Sequence, residues 1–273
     1  MNAQPFFLPA SDAGPGQRFC LHHAASPAVA PRGAIVYIHP FAEELNKSRR
    51  MAALQARAFA GAGFHVLHID LYGCGDSSGD FADARWELWR EDVALGAHWL
   101  RDSFPGPLTL WGLRLGALLA LDCAHRLRPD GLLLWQAVVS GQAHLHQFAR
   151  LQSAARLFGG GDTAPDADRH DIAGYTIAPA LADAIRTRES QPLPPPCPVQ
   201  WLELVPASAE QPPQLQAASM LVIERWRQAG ANVTAKALCG TPFWHSSEIV
   251  EVPALLAASL DAMVSLAPAG TLP

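Results

Sequence analysis

The sequence predicts an α/β protein with a mostly parallel central sheet that carries helices on both faces. Short apolar runs alternate with amphipathic segments along most of its 273 residues, which is the pattern of strand–helix repeats. Hydrophobic residues make up 49% of the chain and charged residues 16%, a balance typical of a well-packed globule. A chain of this length can bury a sizeable core in one domain.

The repeats can be placed one by one. Continuous apolar runs such as 33–39 (GAIVYIH) are typical of strands that are buried on both faces. Helices are recognised by apolar spacing, as at Trp86, Trp89 and Val93, or by a terminal glycine such as Gly61. Strands are predicted, in order, at 33–39, 64–71, 108–111, 131–136, 199–205 and 232–239, and helices at 49–62, 86–100, 115–127, 214–228 and 253–265.

The alternation of strands and helices is interrupted between residues 143 and 196. Three glycines at 159–161, an Asp-rich patch and a proline-rich run at 192–198 fit an inserted cap or lid better than another repeat. We therefore predict a core formed by residues 1–142 and 197–273, with a lid at 143–196. The last residues, 267–273, are expected to be a frayed tail.

Charge and cysteine content narrow the class of protein. A net charge of −5 without a basic stripe argues against a nucleic-acid partner. Five scattered cysteines without C-x-x-C spacing predict neither a disulfide framework nor a zinc site, and they favour a reducing cytoplasm. His144 and His146 have no third candidate ligand nearby, so neither a metal nor another cofactor is predicted.

Membrane and secretion signals are not expected either. Residues 1–15 lack a basic segment followed by an apolar run. The longest apolar stretch, 108–123, contains Arg114 and is too short to span a bilayer. We predict a cytoplasmic protein with no integral membrane segment, and the sequence leaves its oligomeric state open.

The most informative short segment is 108–121. A short apolar strand runs into Gly112-x-Arg114-x-Gly116 and then directly into a helix. Small residues at this spacing let the strand and the helix pack closely around a strained turn. In Gly-x-Ser-x-Gly turns of this kind the central serine is a nucleophile. An arginine stays protonated and cannot attack a carbonyl, so this turn lacks the usual nucleophile.

Together with three other stretches, this turn resembles the α/β-hydrolase superfamily over nearly the whole chain. His39-Pro-Phe41 follows a buried strand as the His-Gly oxyanion loop does, and 70–79 (DLYGCGDSSG) resembles the D-x-x-G-x-G-x-S turn. His245 lies between the last strand and the last helix. The resemblance implies an α/β-hydrolase fold with His245 as catalytic base and Glu210 as its orienting carboxylate, whereas Glu203, within a strand, is expected to be structural.

A narrower resemblance is carried by the run 39–50 (HPFAEELNKSRR) together with Gly-Leu-Arg-Leu-Gly at 112–116. These segments resemble the second of two exosortase A system-associated hydrolases. That family implies a bacterial context of exopolysaccharide production and protein sorting to the envelope. It implies no particular substrate.

A hydrolytic site also needs donors for an oxyanion. The backbone N–H groups of Leu115 and of Phe41 or Ala42 are the candidates, since Pro40 has no N–H to give. Arg114 would lie at a helix N-terminus, which favours an anion. Two alternatives stay open for it: an internal pair with Glu43 or Glu44, or a carboxylate or phosphate of a ligand. The candidate ligand-binding residues are Arg114, His39, Glu43, Glu44 and Ser140.

Two hypotheses of function follow. In the first, the protein is an enzyme that acts on an ester, thioester or related acyl bond, with Arg114 clamping an anionic group. Its nucleophile would be an activated water or one of four relocated side chains: Ser77, Ser78, Ser140 and Cys74. The lid would add an apolar wall from Phe148, Leu151 and Leu157. In the second, the chain is a non-catalytic homologue that binds a small acyl or anionic ligand or a partner protein.

Overall fold

The computed structural model describes residues 3–10, 14–158, 170–172, 175–190, 193–207 and 212–266. Eight strands form one sheet in the order β1-β2-β4-β3-β5-β6-β9-β10, and β7 and β8 form a separate antiparallel pair. From β4 to β10 neighbouring strands run parallel. The strands are β1 Gln4–Pro9, β2 Gln17–His23, β3 Gly33–Ile38, β4 Phe64–Ile69, β5 Leu108–Leu113, β6 Gly131–Trp135, β7 His170–Ile172, β8 Tyr175–Ile177, β9 Val199–Val205 and β10 Val233–Cys239.

Helices cover both faces of this sheet, as the sequence predicts. Alternate residues of a strand point to opposite faces, so Ile35 and Tyr37 of β3 pack with α1 and α7, whereas Val36 and Ile38 pack with α2 and α3. The helices are α1 Glu43–Gly61, α2 Trp86–Ser103, α3 Leu115–Leu127, α4 Gly141–Phe158, α5 Pro179–Arg186, α6 Ala217–Gln228 and α7 Pro253–Leu266. No helix among the described residues is long and apolar enough to cross a bilayer.

The N-terminal hairpin is absent from the sequence-based expectation, which begins with the strand at 33. In the structure β1 pairs antiparallel with β2, and β2 pairs antiparallel with β4. Arg18 of β2 reaches α2, where its guanidinium forms a fully buried ion pair with Asp92. The hairpin therefore extends the parallel sheet at one edge and is tied to the helix layer by charge.

Helix α1 is also longer than expected. It begins at Glu43 rather than near residue 49, directly after a turn at Ala42. This earlier start brings Glu44 into the first turn of the helix, at the carboxyl end of β3. The difference matters because this turn faces the turn at Arg114.

Residues 141–190 connect β6 with the chain that leads to β9. Their described parts are α4, the β7–β8 hairpin and α5. Phe148 of α4 is buried and its ring contacts Phe41, while the side chains of Leu151 and Leu157 lie outside the described residues. The lid at 143–196 stays a prediction, and so does the frayed tail, which begins after the last described residue.

Candidate active site

Three strained backbone turns meet at the carboxyl ends of the central strands. Ala42 after β3, Arg114 after β5 and Gln136 after β6 have φ values of 50°, 56° and 45°. A positive φ is disfavoured for residues with a Cβ, costs about 1–3 kcal/mol, and concentrates at functional sites. In open α/β sheets this edge is also where ligands bind.

The turn at Arg114 is held by close packing between β5, α3 and β3. A Cβ on Gly112 would lie 2.5 Å from the Cα of Ala117, and one on Gly116 would lie 2.3 Å from the carbonyl oxygen of Ile38. Real Cβ atoms essentially never approach so closely. The two glycines that flank Arg114 are therefore required by the fold, whatever the central residue does.

The Arg114 side chain is buried and paired with Glu44. Its Nε donates to Glu44 Oε1 at 3.1 Å, and the same oxygen accepts from His245 Nε2 at 2.9 Å. Arg114 is 9% exposed and Glu44 is 2% exposed, whereas the His245 side chain is 33% exposed. One carboxylate thus joins a buried cation to an imidazole that faces solvent.

The neighbouring acid, Glu43, has a different role. Its Oε2 accepts from the hydroxyl of Tyr175 at 3.2 Å and from Asn46 Nδ2 at 3.3 Å. It therefore ties the start of α1 to β8. Of the two acids in the sequence-based alternative, Glu44 is the one that contacts Arg114.

Two further residues complete the surroundings of Arg114, and no motif in the sequence points to them. Gln147 of α4 accepts from Arg114 Nη2 through its Oε1 at 3.2 Å. The ring of Trp244 lies under the guanidinium, 5.6 Å from its central carbon, which stabilises the cation through the face of the indole. Trp244 adjoins His245, but nothing in the sequence signals the contact.

His144 is another buried titratable group at this site. It is 3% exposed, it contacts the rings of Phe41 and Phe148, and neither of its ring nitrogens has a hydrogen-bond partner among the described residues. The Oε2 atom of Glu44 is buried and unpartnered as well. Unsatisfied polar atoms inside a protein call for a bound polar molecule such as water.

Charges at the site set the protonation of Glu44 and His144. Burial raises the pKa of the Glu44 carboxyl, but the Arg114 guanidinium and the hydrogen bond from His245 outweigh it, so the pKa lies below its ordinary value. Burial lowers the pKa of His144 to about 3. The Glu44 carboxylate alone would raise this pKa, whereas the Arg114 guanidinium lowers it further. At neutral pH Glu44 is thus a carboxylate and His144 a neutral imidazole.

Backbone donors are available next to this cluster. No hydrogen bond joins the N–H of Phe41, Ala42 or Leu115 to another residue in the described part of the chain. Leu115 is the first residue of α3 and therefore lacks an intrahelical acceptor. These are the donors that the sequence proposes for an oxyanion.

His39 fixes the loop that carries two of those donors. Its Nε2 accepts from the N–H of Leu71 at 3.2 Å, and its Nδ1 therefore donates to the carbonyl of Pro40 at 2.8 Å. Burial lowers the pKa of His39 despite the nearby charge of Asp70. Both ring nitrogens are used inside the protein, so His39 positions the loop rather than contacting a ligand in this structure.

None of the alternative nucleophiles is hydrogen-bonded to His245 among the described residues. Ser77 donates to the carbonyl of Asp70 and accepts from the N–H of Phe19. Ser78 accepts from the N–H of Gln17, and Ser140 from the N–H of Ala143. Burial raises the pKa of the Cys74 thiol far above its ordinary value, so that no thiolate forms near neutral pH.

The two remaining acids differ in what the structure describes. Glu203 is 1% exposed and accepts from Trp201 Nε1, from the N–H of Gln216 and from Ser219, which makes it a structural anchor for α6. Glu210 lies outside the described residues. Its role as the carboxylate behind His245 stays a prediction.

An apolar cavity lies between the turn at Arg114 and α2, lined by residues that include Phe41, Leu71, Trp89 and Leu119. Its volume is about 10 Å³, close to the least that holds one water molecule. In this conformation it has no room for an acyl chain.

Comparisons with known proteins agree with this architecture. A family described as "Serine aminopeptidase, S33" matches residues 29–166, just over half of the chain. The human protein ABHD12B is 32% identical over 117 residues, which are 42% of this chain and 30% of that protein. The chain thus spans less than a third of that relative.

Solved structures share the fold. Est1E from Butyrivibrio proteoclasticus with bound ferulic acid has a TM-score of 0.67 at 16% identity, with 96% of this chain and 98% of that one covered. XC6422 from Xanthomonas campestris, described as an α/β serine hydrolase without a lid, has a TM-score of 0.58 at 18% identity, with 98% and 97% covered. The family match and the fold together show that this chain belongs to the serine aminopeptidase S33 family of α/β hydrolases.

Proposed function

We propose that this protein hydrolyses an ester, thioester or related acyl bond, and that Arg114 occupies the position where serine hydrolases of this fold carry their nucleophile. The observation that carries the proposal is the Glu44 carboxylate, which bridges Arg114 and His245. This arrangement keeps a carboxylate–imidazole pair at the strand ends although the serine is absent.

The attacking group in this proposal is water. Among the described residues, no serine or cysteine side chain is hydrogen-bonded to His245. A neutral His245 that donates from Nε2 to Glu44 holds its lone pair on Nδ1. Because one third of this side chain is exposed, water can reach the imidazole.

The proposed reaction balances without a covalent intermediate. As the water oxygen bonds to the acyl carbon, His245 takes one of its protons, and Glu44 stabilises the resulting imidazolium. The N–H groups of Leu115 and of Phe41 or Ala42 would stabilise the oxyanion. When the C–O or C–S bond breaks, the proton passes from His245 to the leaving group, and Arg114 attracts an anionic group of the substrate or the acid product.

The second candidate function is binding without catalysis, and a specific observation favours it. The Arg114–Glu44 pair is almost fully buried, and the adjoining cavity has a volume of only about 10 Å³. A site that stays closed in this way has no room for a substrate. The surface around the partly exposed His245 would instead bind an anionic ligand or a partner protein.

The biological context is proposed from the sequence alone. The run 39–50 and the turn at 112–116 support a role next to exopolysaccharide production and exosortase-dependent sorting, with the protein in the cytoplasm. Within that context the substrate would be a small acyl compound.

Hydrolysis of p-nitrophenyl butyrate and of a butyryl thioester by the wild type, His245→Gln and His98→Gln separates the two candidates. A general base contributes about 100- to 10,000-fold to a rate, so His245→Gln should lose at least about 100-fold in kcat/KM. His98 is an exposed residue of α2, and its variant should match the wild type. No wild-type turnover above buffer would refute the hydrolase and favour the binding protein.

A further inference from the structure

A second cavity lies between α2, α3 and the segment that follows α5, and it shares no lining residue with the first cavity. Its volume is about 360 Å³, within the range of small-molecule sites. Apolar side chains form part of its wall, namely Leu118, Leu121, Leu193 and Pro195. Its charged side chains include Arg90, Asp122 and Arg188.

Two arginines in this cavity share one carboxylate. Arg90 Nε lies 3.4 Å from Asp122 Oδ2, and Arg188 Nε lies 3.9 Å from the same oxygen. That oxygen already accepts from Trp86 Nε1 at 2.7 Å. The three charges sum to +1, so Asp122 only half neutralises the pair of cations.

In each arginine one guanidinium nitrogen, the Nε, also lacks a hydrogen bond in the described part of the chain. The Nε atoms of Arg90 and Arg188 are both buried. Arg188 is nevertheless held in place, because its guanidinium lies over the ring of Trp86, 5.7 Å from the centroid. Each side chain is about 30% exposed, so their outer nitrogens can meet a ligand.

The other charges around the cavity are already paired or are exposed to solvent. Arg126 is paired with Glu91 and adds little net charge. Glu189 also lines the cavity, but it is exposed, so water screens its carboxylate. The excess positive charge is therefore concentrated between Arg90 and Arg188.

We propose that this cavity binds a phosphate monoester with a short apolar body, the phosphate between Arg90 and Arg188 and the apolar part against Leu118, Leu121 and Leu193. Guanidinium groups offer forked donors that match the oxygens of a phosphate. A dianion is favoured over a carboxylate because two guanidiniums converge on it. This site is separate from the Arg114–Glu44 pair and does not depend on the proposed hydrolysis.

Isothermal titration of the full chain with hexyl phosphate, inorganic phosphate and hexanol at pH 7.5 tests the site. Hexyl phosphate should bind at least tenfold more tightly than inorganic phosphate, and hexanol should not bind. Arg90→Met and Arg188→Met, which keep most of the apolar stem, should each weaken hexyl phosphate binding about tenfold or more. Arg186→Met serves as the matched control, because Arg186 is exposed and paired with Asp183.

A variant that binds hexyl phosphate more tightly provides a further test, because a variant that merely loses structure would not gain affinity. Asp122→Asn removes the competing charge but keeps an oxygen that can accept from Trp86, so it should tighten hexyl phosphate binding several-fold. No heat with hexyl phosphate in the wild type, equal binding by Arg186→Met and the two test variants, or unchanged affinity in Asp122→Asn would each overturn the proposal. Tighter binding of inorganic phosphate than of hexyl phosphate would overturn the apolar part.

Discussion

Replacing Glu44 by Gln tests whether the buried Arg114–Glu44 pair stabilises the fold. The substitution keeps the size of the side chain and its ability to accept from His245 but removes its charge. Arg114, 9% exposed, is then a buried cation whose described partners, namely the new amide, Gln147 and the ring of Trp244, are all uncharged. We expect a large loss of stability, because the guanidinium has few other ways to be compensated.

The expected size follows from the burial of both partners. Breaking a buried ion pair by removing one charge costs about 3–5 kcal/mol. In a protein of this size each kcal/mol lowers Tm by about 2–4 °C, so Glu44→Gln should melt about 6–20 °C below the wild type. Urea denaturation and differential scanning calorimetry at pH 7 measure the free energy of unfolding and Tm.

Two further variants make this test specific. Glu43→Gln changes the adjacent, half-buried acid and should lower stability by less than about 1 kcal/mol, because exposed polar contacts contribute little. Combining Glu44→Gln with Arg114→Met removes both charges and should recover most of the loss. If Glu44→Gln and Glu43→Gln lose the same small amount of stability, the Arg114–Glu44 pair does not stabilise the turn at Arg114.

The remaining predictions concern three other features of the site. Arg114→Ser alone should stay unreactive towards a fluorophosphonate. Adding Glu44→Gln should permit labelling at position 114, and intact-mass spectrometry distinguishes the labelled from the unlabelled protein. Because burial lowers the folded-state pKa of His144 to about 3 from 6.5, its stabilising contribution is present above pH 6.5 and lost as pH falls towards 3; His144→Phe should flatten this part of a urea-denaturation pH profile. Gly116→Ala places a Cβ against the carbonyl of Ile38 and should cost about 1–3 kcal/mol or more, measured by the same denaturation.

Local sequence signals predict the central part of this fold well. The two glycines around Arg114 indicate the turn, and the uninterrupted run after it predicts α3 with the observed bounds, Leu115–Leu127. Strand β9 is also predicted with its observed bounds. In these segments local preference and tertiary packing favour the same structure.

Two features that the sequence did not predict, strand β1 and the early start of α1, have physical explanations. Strand β1 contains Pro5 and ends at Pro9. Proline argues against a strand in the sequence but is tolerated in a strand at a sheet edge. The early start of α1 follows a positive φ at Ala42 and has no side-chain cap, so the two acids of its first turn are the start signal, and they do not fix the boundary. Choosing between Glu43 and Glu44 needs the rotation of that helix about its axis, which spacing alone does not give.

The candidate site was only partly predictable for the same reason. His245 and Arg114 are far apart in sequence, and their link through Glu44 depends on three separate loops meeting at the strand ends. Gln147 and Trp244 join the cluster through contacts that no motif encodes. Short motifs therefore locate the edge of the sheet where the site lies, whereas the hydrogen-bond network depends on tertiary packing.

In the proposed hydrolysis a water molecule, activated by His245 beside Glu44, replaces the missing serine. Intact-mass spectrometry of the wild type after fluorophosphonate treatment, on a sample with measured butyryl-ester turnover, tests it most directly. We expect turnover without any adduct. A single adduct on a serine, absent from His245→Gln, would show a relocated nucleophile and contradict it.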